Sequence, residues 1–81
     1  MSEVLVVFAS MTDANKIKFY IEKKHGISSR IVQTPKAVSP GGCSYSLIVE
    51  KDKLGKVYDA MKVMGVMSNA ALYAGDYSRV R

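Results

Sequence analysis

The sequence predicts an α+β domain whose elements run β-α-β-β-α-β. Three observations lead there. Val4 to Phe8 is apolar at every position, as in a strand buried on both faces. Two stretches with apolar residues at helical spacing each end at a glycine, Gly26 and Gly65. Two further strand-like runs, around Ile31 and around Leu47, flank a loop holding both prolines and the sole cysteine.

Each element has its own signal. Val4-Leu5-Val6-Val7-Phe8 is the first strand. Thr12 is the expected N-cap of the first helix, with Asp13 at its positive end and Ala14, Ile17, Ile21 and the stem of Lys18 on one face. Lys23-Lys24-His25 before Gly26 suit a helix C-terminus, which accounts for the one histidine without ligand or proton chemistry. Arg30 to Thr34 is β-branched and half polar, like an edge strand. Tyr45 to Glu50 reads as better buried. Asp52 is expected to cap a second helix in which Leu54, Val57, Tyr58, Met61 and Met64 share a core-facing stripe, with the methionines as filler. A last strand is signalled within Ala71 to Tyr77, interrupted by Gly75.

The two most apolar runs are strands one and three. In the ferredoxin-like arrangement of this element order those strands are central, two and four are edges, and both helices cover one face of a four-stranded antiparallel sheet. One alternate set of strand one, either Val4, Val6 and Phe8 or Leu5 and Val7, must then face away from the helices. That open face, or Phe19 nearly opposite the stripe of helix one, suggests a homodimer.

Composition narrows the function. Eighty-one residues are read as one domain spanning 1–81, and 48% hydrophobic with 23% charged residues suit an ordinary globular chain. No signal-type segment is visible, and no apolar run is long enough to span a bilayer, which points to the cytoplasm and no membrane contact. One cysteine excludes an intrachain disulfide, and one cysteine with one histidine does not make a tetrahedral zinc site. Neither metal nor cofactor is expected. The net charge of +5 raises nucleic acid as a partner, but the lysines read chiefly as solvated helix faces without interleaved aromatics, so only weak binding is expected.

Chemistry concentrates between strands two and three. A hairpin needs two to five connecting residues, yet Pro35 to Cys43 is nine. Pro35 and Pro40 stiffen this loop, while Gly41-Gly42 can turn successive backbone N–H groups toward one point and stabilise an anion. A Cys43 thiolate there, with Lys36 nearby and Ser39 and Ser44 as hydroxyl donors, is expected to be activated and approachable from outside. The alternative is a small apolar residue starting strand three, buried and inert.

The frame Val4-Leu5-Val6-Val7-Phe8-Ala9-Ser10, then a helix ending in glycine, then Thr34-Pro35-Lys36-Ala37-Val38-Ser39 and Gly42-Cys43 leading into the strand of Leu47, resembles the selenium/sulfur carrier protein-like family. Its most specific element is the Pro-x-x-x-Ser-x-x-x-Cys spacing. In that family glycine usually follows the cysteine; here Ser44 follows and two glycines precede, shifting the tight turn one residue earlier. The resemblance implies a non-enzymatic carrier that holds sulfur or selenium on Cys43 as a persulfide or selenosulfide. It also implies donor and acceptor proteins as partners.

Other modules on this topology fit poorly. A heavy-metal domain wants Cys-x-x-Cys after strand one, where Ser10-Met11-Thr12 stands. An RNA-recognition domain wants an aromatic-rich strand three. An acylphosphatase-like loop wants an arginine after strand one, and no nucleophile triad is available. The remaining alternative to the carrier is a non-catalytic oligomeric interaction or regulatory module with an incidental cysteine.

Overall fold

The computed structural model describes residues 2–39 and 44–80. Strand β1 (Glu3–Phe8) leads into helix α1 (Met11–His25), strands β2 (Arg30–Gln33) and β3 (Tyr45–Glu50), helix α2 (Leu54–Met64) and strand β4 (Ala70–Tyr73). The four strands form one antiparallel sheet in the order β2-β3-β1-β4. The two most apolar strands are therefore central, as their burial on both faces requires, and the expected ferredoxin-like α+β arrangement is the one observed.

The register decides which set of β1 meets the helices. Val4, Val6 and Phe8 pair with Val49, Leu47 and Tyr45 of β3. They join one core cluster with Ala14, Ile17 and Ile21 of α1 and Leu54, Val57, Ala60 and Met61 of α2. Leu5 and Val7 fall on the helix-free face beside Ile48 and Ser46 on one side and Leu72 and Ala70 on the other. That face is not a bare apolar surface: Leu5 is 3% and Val7 4% exposed. Arg30, opposite Ile48, reaches across β3 to within 3.7 Å of Glu3.

Helix boundaries depart from expectation at both N-termini. Ser10, extended at φ −140° and ψ 156°, caps α1 by accepting from the Asp13 N–H at 3.2 Å, and Thr12 is already inside the helix. A cap must still have strand-like backbone, and Ser10 is the residue that does, two positions after β1 ends. Asp52 does not cap α2. It lies in a 3-10 turn, Lys51–Lys53, and the residue before the helix, Lys53, makes no side-chain cap bond. The turn is fixed by its backbone, since Lys51 N–H donates to Ser2 C=O at 2.8 Å. The C-termini match expectation: Gly26 and Gly65 adopt left-handed φ of 63° and 69° and return their N–H groups to helix carbonyls.

Met61 is buried in the core but Met64 is exposed, so the methionine stripe is only half core. Met64 is the last residue of α2, directly before its C-cap Gly65. Strand β4 ends at Tyr73, before Gly75. Asp76 then accepts from the N–H and hydroxyl of Ser78, which holds its carboxyl below the ordinary range, and Tyr77 takes φ 60° in the turn. The chain folds back so that Tyr73 N–H donates to Ser78 C=O and Val80 N–H to Ala71 C=O.

Truncating Ile17, which is fully buried between α1 and the sheet, should cost about 2–5 kcal/mol, read from urea denaturation with an unchanged m-value. Gly65→Ala forces a Cβ into left-handed backbone in open space, so it should cost about 1–2 kcal/mol through strain alone. An unaltered melting profile would mean that the α2 terminus relaxes.

Candidate functional site

The β2–β3 ladder fixes the base of the long loop. Gln33 pairs with Tyr45, and one residue further Thr34 N–H donates to Ser44 C=O at 3.1 Å. The nine residues from Pro35 to Cys43 thus connect two hydrogen-bonded positions, the overlong connection expected. Pro40, Gly41, Gly42 and Cys43 lie outside the described residues.

The first half of the loop is a single helical turn. Val38 and Ser39 N–H groups both donate to Pro35 C=O at 2.9 Å. Proline suits the first position of such a turn, where its missing N–H costs nothing and its φ is preset. Lys36 and Ala37 are exposed on this turn, and Pro35 and Ser39 are half-buried. The structure therefore brings Pro35, Lys36 and Ser39 together on one turn and sets Ser44 across the ladder at the other stem.

Strand alternation places Thr34, Ser44 and Ser46 on the helix-free face, at the end of the sheet from which the loop leaves. Thr34 is 2% and Ser44 8% exposed, and Ser46 is fully buried. The Thr34 and Ser46 hydroxyls are 2.8 Å apart and satisfy each other. Ser44 Oγ, next in sequence to Cys43, is buried with no hydrogen-bond partner among the described residues. A hydroxyl left so costs roughly 1–3 kcal/mol. Ser44 stands at the second stem of the loop, and the Thr34–Ser46 pair is one the sequence reading did not find. Ser46 pairs with Val32, and Thr34 reaches it diagonally on the same face only in this hairpin register, which a nine-residue loop leaves open in the sequence.

No group of three or more metal-ligating side chains occurs among the described residues, and no helix there is long and apolar enough to cross a membrane. His25 lies in the last turn of α1, where its cationic-end explanation put it, and its ring meets that of Tyr20 edge to face with centroids 6.1 Å apart.

Sheet order, helix placement and a cysteine-bearing loop between β2 and β3 define a small ferredoxin-like α+β domain with one thiol. The profile of the family described as "Putative Se/S carrier protein-like" matches residues 3–70, and the chain belongs to that family. No curated protein and no solved structure matches the chain.

Replacing Thr34 by Val should cost about 1–3 kcal/mol by leaving Ser46 Oγ buried and unpaired. The double change Thr34→Val with Ser46→Ala should cost clearly less than the two single changes added together, because it removes both halves of the bond. Additive denaturation energies would show that the pair is not coupled.

Proposed function

We propose that this protein carries sulfur or selenium on Cys43 and hands it to an acceptor protein. The observation that carries the reading is the family match over residues 3–70, a span that includes Cys43, the only thiol in the chain. The family implies donors and acceptors in general. The loop supplies the chemical support: exposed Lys36 adds positive charge, and the Ser44 hydroxyl adds a buried donor at the residue joined to Cys43.

The transfer balances without an external oxidant. The Cys43 thiolate attacks the outer sulfur of a donor persulfide, a new S–S bond forms at Cys43, the donor S–S bond breaks, and the donor leaves as a thiolate. An acceptor thiolate then attacks the same outer sulfur and releases Cys43 as a thiolate. Selenium follows the same exchange through a selenosulfide. Because no second cysteine exists, no internal disulfide competes with handover.

The test is iodoacetamide alkylation against pH, followed by incubation with a cysteine persulfide donor and intact-mass measurement. Wild-type protein should alkylate in the native state with a midpoint below the unperturbed thiol value of about 8.5 and gain one chalcogen mass. Cys43→Ser should gain none. Alkylation that requires denaturation would mean an inert, buried thiol and would end the carrier reading.

A further inference from the structure

The most exposed large apolar side chain of α1 does not belong to the loop. Phe19 is 57% exposed, on the side of α1 away from the Ala14–Ile17–Ile21 stripe. Together with Tyr20 and the exposed Met64 at the end of α2 it forms the floor of an open groove whose remaining walls are Lys16, Lys23 and Lys24. Lys16, Phe19, Tyr20 and Lys23 recur at helical intervals of three, one and three, so one face of α1 presents two aromatic rings between ammonium groups.

No carboxylate lines this groove. Among the described residues none of its three lysines is in an ion pair; the nearby Glu22 is taken by Lys18, at 3.9 Å. Lys18 also lies over the Phe19 ring, 5.7 Å from its centroid, which adds a fourth positive charge at the edge. Holding an aromatic ring in water costs free energy in proportion to its exposed area, and three unneutralised lysines around it repel one another. Both costs fall if the same occupant brings an apolar side chain and negative charge.

We infer that this groove docks an acidic segment of a partner protein, with one large apolar side chain seated on Phe19 and Met64 and flanking carboxylates on Lys16, Lys23 and Lys24. A second copy of the chain fits badly, since a twofold contact would set these lysines against themselves. Nucleic acid supplies negative charge but no aliphatic anchor, and two aromatic rings on a helix are not a stacking platform for successive bases. The inference goes beyond the carrier reading and does not depend on Cys43.

The experiment measures fluorescence anisotropy of a labelled synthetic peptide of alternating Asp and Glu with one central Leu, titrated with the full chain. The same peptide with Ser in place of Leu should bind several-fold more weakly. Phe19→Ser should weaken the Leu peptide about tenfold, the scale of losing one buried aromatic anchor. Lys23→Glu with Lys24→Glu should abolish binding, Lys53→Glu on the other side of α2's start should change it little, and Cys43→Ser should bind as wild type. Phe19, Lys23, Lys24 and Lys53 are exposed, and circular dichroism would confirm an unchanged fold. Four results would overturn the inference. They are no binding, equal affinity for both peptides, displacement by single-stranded oligothymidylate as effective as by the Leu peptide, and light scattering showing a wild-type dimer that Phe19→Ser converts to monomer.

Discussion

Strand β1 is the member every other element is placed against. It is hydrogen-bonded along both sides, to β3 through Phe8↔Tyr45 and to β4 through Val4↔Tyr73, and its Val4, Val6 and Phe8 side chains floor the helix-facing core. A strand in that position can tolerate no polar residue on the helix side, because a buried hydroxyl there would have no partner. With β1 fixed, α1 must return over the sheet to bring β2 to the far side of β3, and α2 must cross from β3 over β1 to bring β4 to the opposite side of β1. The two crossovers share one face, and the loop between β2 and β3 is the connection left without a helix over it.

That asymmetry separates two kinds of surface. On the helical side, burial is apolar and complete under the helices. On the other side, the sheet buries Leu5, Val7 and Leu72 near its middle and Thr34, Ser44 and Ser46 toward the loop. Among the described residues, the buried polar residues lie toward the stems that hold the loop. A mutual hydroxyl pair costs little when both partners are present and much when one is missing, so it fixes the stem geometry more sharply than an apolar contact of the same size.

Much of this was legible in the residues. The unbroken apolar run of β1, the glycines closing both helices and the weak β-branched pattern of β2 each report a local physical requirement that the tertiary structure left intact. Ser10 and Asp52 were harder, because a cap is chosen by where the preceding strand or turn lets the backbone stop being extended, and neighbouring Ser, Thr and Asp residues compete on nearly equal terms. Met64 shares the apolar spacing of Met61, but spacing does not say which of the two the core covers. At the site, the length of the loop was legible in the sequence, while the Thr34–Ser46 pair depended on register. Phe19 was legible as an exposed ring; its neighbour Met64, from another helix, was not.

The short return of the chain after β4 has a further consequence. Ala71 C=O and Tyr73 N–H, which face away from β1, are both occupied by residues 78 and 80, and Leu72 forms a bridge with Arg79. One rim of the sheet is therefore closed by residues 78–80, held by a turn that Asp76 fastens to Ser78 and that the Tyr77 N–H closes on Tyr73 C=O. The other rim, β2, is four residues long and begins with arginine, a poor template for a foreign strand. The fold protects itself from edge-to-edge aggregation by unlike means at its two rims. Removing residues 78–80 would open β4, which is as short as β2 but carries no charge of its own.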